Sequence, residues 1–155
     1  MRQIPKVLWF AAFCLLTACA TPKPAKFDQA SEQELIQRVQ LLLDRYARND
    51  QAGVVAMLDS ERLTILGTSF EEKVKSPSEL RSLMDRDFAQ WQTARFTDVR
   101  DVDVRGDGSL ATVYFITTWQ AGNGPSIPLR ITTTWRKVAG EWMLAQSSNS
   151  LPPRF

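Results

Sequence analysis

Apolar residues recur at helical spacing over the part of the chain that follows residue 30. Ser31 and Glu34 form a capping-box pattern, which predicts Ser31 as the N-cap of a first helix that ends near Arg48. This helix has one broad apolar face, made of Leu35, Ile36, Val39, Leu42, Leu43 and Tyr46. Asp50 can cap a shorter second helix, and Ser76 followed by Pro77 predicts the start of a third.

Strand patterns dominate the chain from Trp91 onward. The first strand is predicted over 91–104, and its apolar phase slips between Phe96 and Val102, which indicates a bulge or bend. Three further strand patterns cover 110–119, 127–136 and 142–148. Helices followed by a meander of long antiparallel strands predict an α+β domain, in which helices cover one face of a curved sheet.

The first 18 residues have the layout of a secretory signal peptide. Arg2 and Lys6 precede an uninterrupted apolar run over 7–16, which is too short for a membrane span of about 20 residues. The stretch Leu16-Thr17-Ala18-Cys19 resembles the bacterial lipobox, in which the signal is cut before the cysteine. The resemblance implies that Cys19 carries a diacylglycerol and that the new amino terminus is acylated, as with palmitate. Alternatively, Cys19 is a chance cysteine in an ordinary signal peptide.

The lipobox resemblance implies a location in the bacterial cell envelope, with the domain in the periplasm. Ala20 stands where many enteric-type bacteria place an Asp to retain lipoproteins in the inner membrane, so the outer membrane is favoured. Residues 19–30 are predicted as the lipidated cysteine and a Pro/Lys linker, because 21–26 cannot form a helix. Residues 31–155 are predicted as one folded domain.

Composition excludes several kinds of chemistry from the mature domain. Removal of Arg2 and Lys6 with the signal leaves 17 basic residues against 17 acidic ones, so no nucleic-acid partner is expected. The chain has no His, and of its two cysteines Cys14 leaves with the signal while Cys19 is alkylated. Disulfides, cysteine nucleophiles and zinc-thiolate sites are therefore excluded, and no metal or cofactor is expected.

Three segments resemble a SnoaL-like domain of the nuclear transport factor 2-like superfamily. They are Tyr46-Ala47-Arg48-Asn49-Asp50, Leu63-Thr64-Ile65-Leu66-Gly67 and the stretch 140–152, which runs GEWMLAQSSNSLP. The resemblance covers about 31–153 and implies a cone-shaped roll: a strongly bent antiparallel sheet around N-terminal helices, with a pocket at the wide end. The superfamily includes isomerases, cyclases and dehydratases, and also members that only bind or dimerise.

Two departures from the superfamily pattern bear on function. Gln146 and Ser148 stand where members often have two histidines, and 65–67 has no carboxylate where ketosteroid-isomerase-like members need a base. Simple alternation would place Gln146 and Ser148 on the same strand face as Trp142 and Leu144, where they would line the pocket as neutral hydrogen-bonding groups. The complete set of pocket candidates is Tyr46, Trp119, Trp135, Trp142, Gln146 and Ser148, and no catalytic residue is predicted.

Two groups of acidic residues could form a functional site but are predicted to be exposed surface positions. Asp85 and Asp87 are two positions apart in the third helix, do not share a helix face, and are predicted to be solvated. Further along, acidic and basic residues alternate and are predicted as an exposed strand face with paired opposite charges, with a metal or partner patch as the alternative. These residues are Arg95, Asp98, Arg100, Asp101, Asp103 and Arg105.

The sequence supports two functions of different class. The favoured one is a membrane-anchored module that binds a small apolar ligand, an envelope protein or its own copy as a homodimer, without catalysis. The alternative is a small isomerase, dehydratase or cyclase that uses a pocket carboxylate and Tyr46. The missing histidines and base favour binding, whereas a buried Asp or Glu within hydrogen-bond reach of an apolar cavity would favour the enzyme.

Replacing Cys19 tests the predicted anchor. Cys19→Ser removes the thiol that the lipid would modify, so most of the protein should move from the membrane fraction to the soluble periplasmic fraction. Fractionation of cells and immunoblotting measure the shift, with Cys14→Ser as the matched control that leaves the distribution unchanged. Membrane association that survives Cys19→Ser would contradict the anchor.

Overall fold

The computed structural model describes residues 27–151, so Cys19 and the predicted signal peptide lie outside the described part. The helices are α1 (Gln29–Ala47), α2 (Gln51–Val55) and α3 (Pro77–Trp91). The strands are β1 (Thr64–Leu66), β2 (Lys73–Val74), β3 (Ala94–Gly106), β4 (Leu110–Ala121), β5 (Ile127–Val138) and β6 (Glu141–Ser150). Within residues 27–151, no helix is both long and apolar enough to cross a bilayer.

The six strands form one sheet in the order β2-β1-β6-β5-β4-β3. Strands β3 to β6 are an antiparallel meander, whereas β1 runs parallel to β6, with Ile65 opposite Ser147. The register of β3 against β4 shifts twice, and Asp98 and Asp101 adopt positive φ angles of 55° and 53° at these bulges. Bulges bend a sheet, and the predicted α+β fold with a strongly bent, mostly antiparallel sheet is confirmed.

The first helix begins earlier than the capping-box pattern predicts. Its N-cap is Asp28, whose carboxylate accepts a hydrogen bond from the backbone N–H of Ser31 at 2.9 Å, so Ser31 lies in the first turn and not at the cap. Phe27 packs edge-on against Trp142, with ring centroids 6.3 Å apart. Residues 27–30, which the sequence assigned to the linker, therefore belong to the fold.

The other helix boundaries follow from local chemistry. Asp50 caps α2, and Ser76 caps α3 with Pro77 in its first turn, as predicted. Trp91 is the last residue of α3 and not the first of a strand: Gln92, at a positive φ of 63°, ends the helix, and β3 begins only at Ala94. The predicted start of the strand was therefore wrong by a few residues.

The core lies between the helices and the concave face of the sheet. Alternate side chains of β4 and β5 point into it, and α1 and α3 supply Leu35, Val39, Leu80 and Met84 from the other side. The largest side chains in the core are Trp135 and Trp142, both fully buried. The intervening positions are half-buried in β4 and exposed or half-buried in β5, which explains the alternation in the β5 sequence.

A bulge in β6 reverses the alternation of its side chains. Trp135 pairs with Leu144 and Thr134 with Gln146, so Ala145 is an extra residue in β6. Leu144 is buried before the bulge, and Ser147 is buried after it, while Gln146 is exposed. The prediction that Gln146 and Ser148 share a face with Trp142 and Leu144 was wrong, because simple alternation does not cross a bulge.

The alternating charges of β3 lie on an exposed face, as predicted. Arg100 pairs with Asp98, and Arg105 pairs with Asp103 at 2.9 Å, so the ion pairs form along the strand and not across it. All four side chains are 44% exposed or more, so the pairs are solvated and contribute little to stability.

Candidate functional site

An apolar cavity of about 160 Å³ lies between the helices and the concave face of the sheet. α1, α2 and α3 contribute aliphatic side chains to its wall, and β4, β5 and β6 form its floor with Phe115, Leu129, Ile131 and Leu144. An engineered cavity of about 150 Å³ in another protein is large enough for benzene. The cavity therefore has room for one ring or a short branched chain.

Aromatic side chains surround one end of this cavity. Trp91, from the end of α3, meets Trp119 of β4 edge-on, with ring centroids 5.0 Å apart. Tyr46, in the last turn of α1, packs against Phe88 and Phe96 with centroid distances of 6.0 and 6.1 Å. These contacts hold the Tyr46 ring in place, so its hydroxyl has a defined direction.

The Tyr46 hydroxyl donates a hydrogen bond to the Asp87 carboxylate at 2.8 Å. Both residues line the cavity, and Asp87 is only 8% exposed. Asp87 follows Leu80 and Met84 at seven and three positions, which places it on the buried face of α3. We call Tyr46 and Asp87 the polar pair; it is the buried carboxylate beside an apolar cavity that the enzyme alternative requires.

The prediction that Asp85 and Asp87 are both solvated was wrong for Asp87. Asp85 is exposed, and its carboxylate accepts a hydrogen bond from the Gln51 side chain at 2.6 Å. The argument that two residues at i and i+2 do not share a helix face is correct, but it left open which of the two faces inward. The spacing from Leu80 and Met84 is the signal that identifies Asp87.

Burial perturbs both members of the polar pair. Loss of solvent raises the pKa of Asp87, and this outweighs the Tyr46 hydrogen bond and the charge of Arg86, which lower it. Burial and the neighbouring Asp87 charge raise the pKa of Tyr46, which therefore remains a hydrogen-bond donor at all ordinary pH values. A carboxylate with a raised pKa in an apolar cavity can bind a donor or exchange a proton.

Glu72 supplies a second carboxylate at the cavity. It lies in the loop between β1 and β2, and its Oε2 accepts hydrogen bonds from the backbone N–H groups of Thr68 and Ser69 at 2.8 and 3.3 Å. A Cβ on Gly67 would lie 1.9 Å from this oxygen and 2.5 Å from the Glu72 Cβ, so a larger residue there would displace the Glu72 side chain. The Glu72 charge also acts on Tyr46 and Asp87.

The structure separates the predicted pocket residues into two groups. Tyr46 and Trp119 line the cavity, whereas Trp135 and Trp142 lie in the core away from it. Trp135 donates its indole N–H to the Thr133 hydroxyl at 2.9 Å. Trp142 packs against Phe27 and carries the Lys137 ammonium 5.1 Å from its ring centroid. Aromatic positions at strand spacing thus serve packing in these two cases.

Gln146 and Ser148 are absent from the described cavity wall. Because of the bulge at Ala145, β6 presents Ser147 and Asn149 to the cavity, and the Ser147 hydroxyl donates to the Asn149 side chain at 3.3 Å. The strand thus contributes neutral hydrogen-bonding groups of the predicted kind, from positions one residue further along. Across residues 27–151, no cluster of three His, Cys, Asp or Glu side chains is arranged to hold a metal ion.

A family model for the SnoaL-like domain matches residues 36–154, which is most of the chain. The chain belongs to the SnoaL-like domain family. No curated protein matches it. Solved structures resemble it in fold. One is a Nostoc punctiforme protein of unknown function with a cystatin-like fold, with TM-score 0.72, 16% identity, and 83% of this chain and 96% of that chain covered.

Two further structures carry names that mention enzymes. A candidate dehydratase of the nuclear transport factor 2-like family from Streptomyces avermitilis has TM-score 0.71 and 14% identity, and the match covers 81% of this chain and 98% of that one. A candidate ketosteroid isomerase from Parabacteroides distasonis has TM-score 0.62 and 18% identity, with 83% and 96% covered. At these identities the likeness establishes the SnoaL-like fold and leaves the activity open.

Asp87→Asn tests the polar pair of the SnoaL-like domain through its stability. Because the folded-state pKa of Asp87 lies above its unfolded value of 3.8, the native state holds the proton longer, and stability is lost as pH rises through the folded pKa. Asn is neutral and can still accept the Tyr46 hydrogen bond. We expect the variant to melt a few degrees higher than wild type at pH 7, with the gain vanishing toward pH 4.

Thermal melts of both proteins across this pH range measure the effect. Asp85→Asn is the matched control, since it removes the same charge from the exposed side of the same helix and should give no comparable gain. An Asp87→Asn variant that melts below wild type at neutral pH would contradict the account of a costly buried charge.

Proposed function

We propose that this chain is a lipoprotein of the bacterial envelope whose SnoaL-like domain binds a small apolar molecule in its cavity without transforming it. The observation that carries the proposal is an apolar, ring-sized cavity whose wall holds the Tyr46–Asp87 pair. Ligand sites are mostly apolar concavities with a few polar groups that orient the ligand. The cavity has this composition, with Ser147 and Asn149 as further polar groups.

The cost of the polar pair supports a role in binding. A core needs no carboxylate at this position, and the raised pKa of Asp87 means that its charge destabilises the native state at neutral pH. Destabilising groups persist where function requires them. The Asp87 carboxylate can accept further hydrogen bonds from a ligand. An ionised carboxyl has about four lone-pair sites, and Tyr46 occupies one of them.

The position of Phe27 sets where the proposed tether would join the domain. Phe27 is held by Trp142 close to the start of α1, whereas Tyr46 lies in the last turn of that helix. A helix of 19 residues is about 28 Å long. A tether from Cys19 would thus enter the domain at one end of α1 and leave the cavity about a helix length away, where a ligand can approach from the aqueous side.

Filling the cavity tests the binding function. Leu42→Trp places a larger side chain in the wall of the cavity, whereas Leu41→Trp makes the same change at an exposed position of the same helix. With 2-phenylethanol as the probe, we expect wild type and Leu41→Trp to bind with equal affinity and Leu42→Trp to lose at least tenfold. Isothermal titration calorimetry on the acyl-free domain measures binding, and circular dichroism checks folding. Equal binding by all three proteins would place the probe elsewhere.

A second function is favoured by one observation, which is the burial of Asp87 against Tyr46 beside the cavity. A small isomerase, dehydratase or cyclase needs a carboxylate that exchanges a proton and a donor that stabilises developing negative charge on oxygen. Asp87 and Tyr46 have these chemical properties. The Asp87→Asn variant distinguishes the two functions. In an enzyme it would abolish turnover and preserve binding of a neutral ligand, whereas a binding protein shows no turnover in either form.

A further inference from the structure

The charged groups at the cavity all have the same sign. Among the described residues that line it, the ionisable acids are Asp87 and Glu72, and no Lys or Arg is present. Arg86 is a cation whose charge acts on Asp87 and Tyr46. However, it is not among the residues that line the cavity. It lines an adjoining surface groove that also contains Lys73, Glu71, Glu72 and Glu79, and Glu72 lines both. The charged side chains in the cavity wall are therefore acidic, and the nearby cations lie outside that wall.

This arrangement discriminates between ligands by charge. An anion in the cavity would meet two carboxylates without a cation in the wall to balance it, and like charges in a poorly solvated site repel strongly. An ammonium group has three donors and no acceptor, which suits the free acceptor sites of Asp87. The bond would be charge-assisted and roughly twice as strong as its neutral equivalent.

The aromatic side chains also favour a positively charged ligand. Tyr46, Phe96, Trp91 and Trp119 line the cavity. The ring centroids of Tyr46 and Phe96 are 6.1 Å apart, and those of Trp91 and Trp119 are 5.0 Å apart. The faces of such rings attract cations, and the attraction is larger where water is excluded. A ligand that carries a positive charge next to an apolar ring would satisfy both parts of the site.

We propose that the cavity selects cationic ligands, and that its occupant is a small protonated amine with an apolar body of about one ring. This inference rests on the proposed binding function and names the class of ligand. The ring lies among the aliphatic side chains, and the ammonium donates to Asp87, whose other contact is the Tyr46 hydroxyl. The 160 Å³ of the cavity sets the limit on size.

Three probes of similar size test the preference: 2-phenylethylamine, 2-phenylethanol and phenylacetate. They share a phenyl ring on a short chain and differ in the charge of the head group. On wild type at pH 7 we expect the amine to bind about tenfold tighter than the alcohol, because the bond to Asp87 becomes charge-assisted, and phenylacetate to bind weakest. Titration calorimetry measures the three affinities.

The matched variants are Asp87→Asn, inside the cavity, and Asp85→Asn, on the exposed side of the same helix. Asp87→Asn should reduce the ratio of amine to alcohol affinity to near one while the alcohol still binds, and Asp85→Asn should keep the wild-type ratio. Melting curves confirm that both variants fold.

Each other outcome overturns a defined part of the account. If the alcohol binds and the amine binds no tighter, the preference for cations is wrong and the proposed cavity function survives. An amine preference that persists in Asp87→Asn overturns the assignment to this carboxylate. If none of the three probes binds wild type, the proposed binding function itself is contradicted.

Discussion

The hydrogen bond from Tyr46 to Asp87 joins the last turn of α1 to the buried face of α3. Both residues line the cavity, where most of the surrounding side chains are aromatic or aliphatic. A carboxylate in such a place is costly, since burial penalises the charged form, and one phenolic donor offsets only part of this. Burial and this bond act on the Asp87 pKa in opposite directions, and the energetics of the site depend on the balance between them.

The shape of the cavity depends on irregularities in the sheet. The bulges of β3 at Asp98 and Asp101 bend the sheet around the helices, and the bulge of β6 at Ala145 turns Ser147 and Asn149 toward the cavity. Gly67 leaves room for the Glu72 side chain in the loop between β1 and β2. Each of these features acts locally. Together, the bulges and Gly67 place neutral and acidic side chains around the apolar cavity.

Periodicity and capping chemistry predicted most of the fold. The apolar face of α1, the caps at Asp50 and Ser76 and the alternation of β5 are local signals, and the structure contains all of them. The phase slip in β3 predicted its bulges because two apolar runs fell out of register. No such signal marks Ala145, since a small apolar residue fits either face of a strand. The bulge shifts the positions that face the cavity by one residue, so Ser147 and Asn149 line it in place of Gln146 and Ser148.

The candidate site was harder to predict because it combines residues from distant parts of the chain. Tyr46 and Trp119 were expected in the pocket, and both line the cavity. Asp87 was assigned to solvent, although its spacing from Leu80 and Met84 places it on the buried face, because a carboxylate is seldom expected there. Its partner lies 41 positions earlier, and such a pairing is visible only in the folded chain.

The most direct test of the central claim is a titration of the Asp87 carboxyl by carbon-detected NMR, in wild type and in Tyr46→Phe. The account predicts a pKa above the ordinary value of 3.8 in wild type, because burial outweighs the Tyr46 hydrogen bond. It also predicts a higher pKa in Tyr46→Phe, because the donor that stabilises the charged form is lost. An Asp87 that titrates at or below the ordinary value, or one that is insensitive to Tyr46→Phe, would contradict the account.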